Sequence, residues 1–276
     1  MAGTEVAQPE RPVSVIVPAY GDASFLARAL VALASADQPG VGERILATTS
    51  DTDVSEDLPS DIRVVRGPRG VGNLREAGRE VATQPWLLFL DADDTLVPGS
   101  AQALLDQAAG HPEATCVAGL LVAAEGQRHP WPAEKDWRRS KRSRKYLTAT
   151  LVVRNVYPSV GSCLIRAGAV RGRLFGVGIH QDWVAALRLA LAGPAVAVDV
   201  PVLRYTTGSA SLSRRSIAKA EKDAVGREIL SEALRGPLWL RLLLPLLVPL
   251  ALRHRRRSLA ELHRTWAHVP ADSFTA

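Results

Sequence analysis

The sequence predicts an α/β fold, a mostly parallel sheet covered by helices, followed by a helical C-terminal tail. Short β-branched apolar runs alternate with segments of helical apolar spacing, the order expected of a sheet whose strands are joined by helices. The runs are apolar at successive positions, as in strands covered on both faces. The chain has 276 residues, 47% hydrophobic and 22% charged, which is enough to bury a core without staples and excludes disorder of the whole.

VSVIVPAY, from Val13, reads as the first strand and breaks at Pro18. After Gly21, FLARALVALAS places Phe25, Leu26, Leu30, Val31 and Leu33 at helical spacing, with Asp22 or Ser24 as the N-cap. RILAT is a second strand before the acidic loop SDTDVSEDLPSD. IRVVR at 62–66 is a third, followed by the turn GPRGVG, a helix NLREAGREVAT and a strongly apolar strand WLLFL at 86–90. Beyond Asp94 come a helix SAQALLDQAAG and a strand near 114–124. The polar, basic stretch from 125 to about 147 is too long for an ordinary connection and reads as a functional or mobile loop. A strand around GSCLIRA, a helix from Gln181 to Ala192 and a strand AVAVDVPVLRY follow, and residues 213–276 form a separate helical region.

Charge narrows the chemistry. Lys and Arg number 34 against 28 Asp and Glu, net +6, and the basic side is mostly arginine, which favours phosphates, carboxylates and anionic surfaces. The excess clusters in WRRSKRSRKY at 137–146 and RHRRR at 253–257. Nucleic-acid binding, membrane-surface binding and work on phosphorylated substrates all fit that distribution. The N-terminal MAGTEVAQPERP lacks a basic region followed by an apolar one, so a cytoplasmic protein is expected. Cys116 and Cys163 lie in apolar, strand-like runs and read as buried hydrophobes in a reducing compartment.

Ligands of open parallel sheets bind beyond the carboxyl ends of the strands. Asp91 and Asp93 follow WLLFL at i and i+2, on one side of extended backbone, and such a pair suits a hard, oxygen-preferring cation carrying a diphosphate. The plainer reading is a solvated acidic loop capping the next helix. Upstream, the glycines of Gly70-Val71-Gly72-Asn73-Leu74-Arg75 could open a helix N-terminus toward an anion, with Arg75 reaching a phosphate or a base edge. A glycine-rich turn with a surface arginine is the alternative there.

In combination these segments resemble a family 2 glycosyltransferase of the GT-A fold over residues 13–212. The family opens on a strand of the type VSVIVPAYN, matched by Val13 to Tyr20 with Gly21 in the asparagine place. Its glycine-led helix G-x-x-x-A-R-N-x-G and the strand ending FLDADD are matched in order by Arg75, Gly78 and Phe89 to Asp94, and its later E-D helix start with a following arginine by Gln181, Asp182 and Arg188. The resemblance implies a tail at 1–11, a nucleotide-sugar-binding half at 12–110, an acceptor-binding and catalytic half at 111–212 and a C-terminal helical tail at 213–276. It implies that Pro18, Ala19 and Tyr20 line the base pocket, Arg75 contacts base or diphosphate, Asp91 meets the ribose, Asp93 holds Mn²⁺ or Mg²⁺, and Asp182 is the general base. It further implies inverting transfer from a nucleotide-diphosphate sugar. Asp182 opens a helix whose dipole favours its anion, although a plain N-cap is the alternative for it.

Two departures touch specificity. Ala47-Thr48-Thr49-Ser50-Asp51-Thr52-Asp53 stands where VDDGSTD is usual, so Thr48 can accept a hydrogen bond from the base but carries no charge. Gln181 replaces the acid before the catalytic aspartate. The Q-x-x-R-W tract of processive synthases is missing, which favours transfer of a single sugar. The acceptor stays open among a lipid phosphate, a small metabolite, a peptide and a glycan.

LWLRLLLPLLVPLAL at 238–252 is the most apolar segment, interrupted by Arg241, with Pro245 and Pro249 expected to break or kink a helix. About 20 apolar residues are needed to cross a bilayer, so it is too short to span one. With the arginines of 253–257 it reads either as an interfacial anchor on anionic headgroups or as a helix packed on its own core or a second subunit. The 137–146 cluster fits a solvated face, a contact for an acidic acceptor or a lid over the donor, and no nucleic-acid-binding fold surrounds it. Rival readings of the whole chain are a nucleotidyltransferase, whose glycine-rich loop after the first strand PAYGDASF lacks, and a non-catalytic membrane- or partner-binding module with a relic site.

Overall fold

The computed structural model describes residues 12–54, 58–123, 143–156, 159–176, 178, 180–206 and 219–266. The elements are β1 (Val13–Pro18), α1 (Ala23–Ser35), β2 (Val41–Thr48), β3 (Ile62–Arg66), α2 (Val71–Val81), β4 (Trp86–Phe89), β5 (Thr95–Leu96) and α3 (Ser100–Ala109). They continue with β6 (Cys116–Ala123), α4 (Arg144–Val153), a 3₁₀ turn (Val160–Ser162), β7 (Cys163–Arg166), α5 (Gln181–Ala192), β8 (Ala195–Tyr205), α6 (Lys219–Arg235) and α7 (Leu238–Trp266).

One eight-stranded sheet in the order β3-β2-β1-β4-β7-β6-β8-β5 organises the molecule. The first four of these strands are mutually parallel. β7 then runs antiparallel to both β4 and β6, β8 runs parallel to β6, and the short β5 closes the edge antiparallel to β8. The sheet is therefore mixed, and its parallel part contains the strands expected from the alternating pattern.

β1 is buried at all six positions because both of its faces are covered. Val13, Val15 and Val17 join a core beneath α1 and α3 with Leu33, Leu88 and Leu104, whereas Ile16 points into a second core with Leu74, Phe89, Leu151, Phe175 and Val184. The alternation of the pleat thus assigns one face of β1 to each core. Asp22 caps α1 by accepting from the backbone N–H groups of Ser24 and Phe25 at 2.9 and 3.3 Å, so the Asp22 alternative for that cap is the one realised. α2 lies so close to β1 that a Cβ on Gly78 would collide with Ile16 Cγ2, and glycine is what permits the approach. Cys116 and Cys163 are buried free thiols on neighbouring strands.

Two expectations need correction, and one short strand escaped the sequence reading. The stretch read as one long loop to about residue 147 contains the start of α4, whose Ser143 N-cap accepts from Tyr146 N; residues 124–142, with most of the basic cluster, lie outside the described residues. Ser143 is a cap signal, and α4 buries Leu147, Leu151 and Val152, but the basic residues around Ser143 masked that periodicity. The single strand read at Ala195–Tyr205 has β5 as an edge partner that is too short to show a pattern. Pro245 and Pro249 do not end α7, which runs through both. They are one turn apart on the exposed side of the helix, so the carbonyls that lose their donors there can be solvated.

Candidate active site

The carboxyl ends of β1, β2 and β4 come out side by side. The parallel register sets Pro18 beside Ala47 and Ile16 beside Phe89. Two further bonds carry the ladder past the strand ends, Ala19 N to Ala47 O and Leu90 N to Ile16 O, each 2.9 Å. This brings Pro18, Ala19, Tyr20, Thr48 and the Asp91–Asp94 turn to one edge of the sheet. Tyr20 is half-buried, and the Arg69 guanidinium lies 5.1 Å from its ring centre. Thr48 is fully buried, and its hydroxyl has no hydrogen-bond partner among the described residues.

Arg75 is the junction of the site. It projects from α2, is only 2% exposed, and donates from Nη2 to Asp91 Oδ1 and from Nη1 to Asp182 Oδ1. Burial disfavours its charge, but Asp182 and Asp91 together outweigh that and raise its pKa. Its guanidinium carbon also lies 5.1 Å from the Phe175 ring centre, and Phe175 meets Phe89 edge-on at 4.7 Å. Arg75 Nε has no acceptor among the described residues. The surface alternative for Arg75 is therefore not realised; it is an internal clamp between two carboxylates 91 residues apart in the chain.

The neighbourhood of Gly72 also differs from the expectation. A Cβ there would collide with Gln181 Oε1 and approach the Gly176 carbonyl to 2.7 Å. The first turn of α2 is thus covered by the segment leading into α5, and its glycine serves close packing instead of opening the helix end to an anion. Gln181 Oε1 is buried there without a partner among the described residues.

Asp182 stands in the first turn of α5, whose N-cap position is taken by His180 in the left-handed region at φ 61°. A non-glycine residue in that region is held there against its preference, and such positions gather at functional sites. Asp182 bonds Arg75 and is not the N-cap, so the plain-cap alternative does not describe it. Burial pushes its carboxyl above the ordinary value, opposed by Arg75, and Asp91 adds to the rise. Its side chain remains 35% exposed, so a face of the carboxylate is open to an incoming group.

The turn after β4 concentrates negative charge. Burial, then the charge of Asp91, raises the Asp93 carboxyl. Asp94 is 2% exposed and is pushed up to about 8, chiefly by burial, while it accepts from Thr206 N at 3.0 Å and so ties the end of β8 to this turn. Among the described residues no group of three or more His, Cys, Asp or Glu is placed to hold a metal alone. The set instead suits a hard cation that takes one or two protein carboxylates and completes its shell from phosphate and water, since a positive charge would relieve the repulsion within the turn.

Several functional contacts were not read from the sequence. Glu76 is buried beside Arg75 and accepts from the backbone N–H groups of Leu174 and Phe175, both at 2.7 Å. Arg188 donates to the carbonyls of Leu174 and Phe175 at 3.3 and 3.1 Å and to Glu228 and Glu232 of α6 at 3.2 and 2.8 Å. The segment carrying Phe175 is thus held from both sides. A glutamate next to Arg75 in a helix of buried glycines was the available signal for the first of these contacts, but its partners lie 98 and 99 residues away.

A mixed sheet of this topology, with carboxylates gathered at the ends of its parallel strands, places the chain in a class of α/β proteins that bind their ligands at that edge. The chain matches the model of glycosyl transferase family 2 over residues 14–171, more than half of its length, and belongs to that family. It is a glycosyltransferase. Its fold is similar to that of S. aureus TarS 1-349 in complex with UDP-GlcNAc, with a TM-score of 0.59 and 18% identity over 82% of this chain and 67% of that one. It is also similar to the Mycobacterium tuberculosis glucosyl-3-phosphoglycerate synthase in complex with Mn²⁺, UDP and phosphoglyceric acid, with a TM-score of 0.50 and 16% identity over 82% and 78% of the two chains. The chain spans 66% of TarS 1-349 bound to UDP and 40% of the longer TarS crystal structure. No curated protein matches it.

Proposed function

We propose that this enzyme transfers a single sugar, with inversion, from a nucleotide-diphosphate sugar to an acceptor hydroxyl or similar nucleophile, with Asp182 as general base. The observation that carries the reading is Arg75, whose buried guanidinium holds Asp91 at the donor-binding edge and Asp182 at the start of α5 in one ion-pair triad. Donor pocket and base are thereby fixed relative to one another by a single planar group.

In the reaction, the acceptor oxygen attacks the anomeric carbon as the bond from that carbon to the diphosphate oxygen breaks. The electron pair leaves with the nucleoside diphosphate, and the acceptor proton passes to Asp182. A base is most effective when its pKa lies toward the working pH, and the burial that raises the Asp182 carboxyl moves it that way. Arg75 orients the carboxylate and keeps it anionic. Pro18, Ala19, Tyr20 and Thr48 form the base pocket, and Asp91 lies against the ribose. Asp93 would hold a divalent cation, Mn²⁺ or Mg²⁺, whose positive charge offsets the charge growing on the leaving diphosphate.

The solved neighbours in complex with UDP-GlcNAc or UDP make a uridine nucleotide the first donor to test. We infer a cytoplasmic site of action at a membrane face. The buried free thiols of Cys116 and Cys163 are consistent with a reducing compartment. The acceptor is drawn from the classes named above. The decisive experiment is release of nucleoside diphosphate from UDP-, GDP- and dTDP-sugars with Mn²⁺, with Mg²⁺ and with EDTA. Turnover of one donor only with metal is expected. Equal turnover in EDTA would remove Asp93 from its role, and absence of both turnover and donor-induced thermal stabilisation would remove the reading itself.

A further inference from the structure

The surface least explained by sugar transfer is α7. Leu240 and Leu244 are buried against the enzyme, with Trp239 and Leu247 partly buried beside them. Leu238, Leu242, Leu246 and Leu250, four residues apart, are exposed by 62, 69, 67 and 51%. Pro245 and Pro249 belong to the same outward face. Tyr146 of α4, 43% exposed, widens this face, and a groove of about 540 Å³ lined by Lys145, Tyr146, Ala149, Trp239, Leu242 and Leu243 joins the two helices. A run of solvent-facing leucines at helical spacing is larger than the scattered apolar residues of an ordinary surface.

Charge identifies what covers it. Between Pro237 and Ala260 there is no acidic residue, while Arg241, Arg253, Arg255, Arg256 and Arg257 are all in α7, and Lys145 lies 5.9 Å over the Trp239 ring at the groove. A second copy of the chain would bring these arginines against one another or need an acidic counterface, and α7 supplies none over that span. No helix among the described residues is long and apolar enough to cross a membrane. Leucines on one face, arginines in the same helix and too little apolar length to span are together the pattern of a helix lying in the headgroup plane.

The face is also coupled to the site. α4 packs on α7 on one side and on α5 on the other, and the Leu151 carbonyl of α4 accepts from Nε1 of Trp183, the residue after Asp182. We propose that α7, with Tyr146 at its border, docks in the plane of an anionic lipid bilayer. This deepens the membrane-face reading above by naming the docking surface and its lipid chemistry, and it holds or fails independently of donor and acceptor.

The test is flotation of the full chain, without donor or acceptor, with vesicles of phosphatidylcholine alone and of phosphatidylcholine mixed with phosphatidylglycerol. Binding to the mixed vesicles that weakens with added salt is expected, with little binding to the neutral ones. Leu242→Asp combined with Leu246→Asp should weaken it by more than about tenfold while leaving the circular dichroism spectrum and melting temperature unchanged, because both side chains face outward. Arg255→Ala with Arg256→Ala and Arg257→Ala is the independent variant and should remove the preference for the mixed vesicles. The proposal is overturned if the wild-type chain does not float with the mixed vesicles, or if the leucine variant floats as well as wild type. It is equally overturned if the chain ignores vesicles and is a dimer that the leucine variant converts to a monomer. Donor turnover enters none of these readouts, so a failed sugar-transfer reading and a failed docking surface remain distinguishable.

Discussion

α2 and α7 invert the usual relation between polarity and burial. α2 is a short, polar helix, yet it buries Arg75 and Glu76 at 2 and 3% exposure together with two glycines. α7 contains the most apolar stretch of the chain, yet Leu242 and Leu246 are more than two-thirds exposed. Burial follows partners more closely than hydrophobicity. Arg75 has Asp91 and Asp182, and Glu76 has two backbone N–H groups and Arg79, so each charge is compensated inside. α7 offers apolar side chains on more faces than α4 and the neighbouring core can cover.

This contrast can be broken most sharply at the far end of the Arg75 clamp. Asp182→Asn should lower transfer by about 10²–10⁴-fold while UDP binding is retained, since a proton acceptor is lost and a similar shape is kept. Calorimetric donor binding alongside single-turnover transfer measures it, and full activity would take Asp182 out of the base role. Arg75→Ala leaves two buried or half-buried carboxylates facing each other. It should destabilise the fold by about 3–5 kcal/mol in urea denaturation, and a cost below about 1 kcal/mol would mean that the pair is dispensable to folding. Gly78→Ala, which forces a methyl group onto Ile16, should cost about 1–3 kcal/mol in the same assay, separating close approach from charge as the reason α2 is buried.

Asp94 sharpens the comparison through pH. Its carboxyl holds a proton up to about 8 in the fold, against an ordinary value of 3.8. Between those values the unfolded chain has released a proton that the folded chain keeps, so stability falls as pH rises through the window. Asp94→Asn keeps an acceptor for Thr206 N–H and cannot ionise. Without metal it should flatten that slope and gain on the order of 1 kcal/mol relative to wild type at pH 9. Identical slopes for the two proteins at pH 5–9 would refute the assignment. The smallest effect belongs to α7, where Leu242→Ser should change stability by no more than about 0.5 kcal/mol, because that side chain is 69% exposed.

The first half of the fold was legible because its signals are local. β1, α1, β3, α2 and β4 each announce themselves in a short window, and Asp91 and Asp93 follow directly from the strand that presents them. The later half was legible at α5 and Asp182 but not at α4, whose apolar spacing lies next to a basic run. The antiparallel direction of β7 was not legible either, since an apolar strand carries no mark of its direction. The site's internal wiring was hidden for a different reason. What Arg75, Glu76, Gly72 and Arg188 touch depends on residues up to 107 positions away, and no local pattern encodes such a pairing. Side-chain type showed that Arg75 would matter, and only the fold showed that it faces inward.

The triad also has an order in time. During synthesis Asp91 follows Arg75 by 16 residues, whereas Asp182 follows it by 107. The parallel strands can therefore leave the ribosome and pair while the arginine beside them has only one of its two counter-ions. The contact with Asp182 is the second of the two links to be made, so a chain interrupted before α5 would carry Arg75 paired with Asp91 alone, an incomplete charge at its heart.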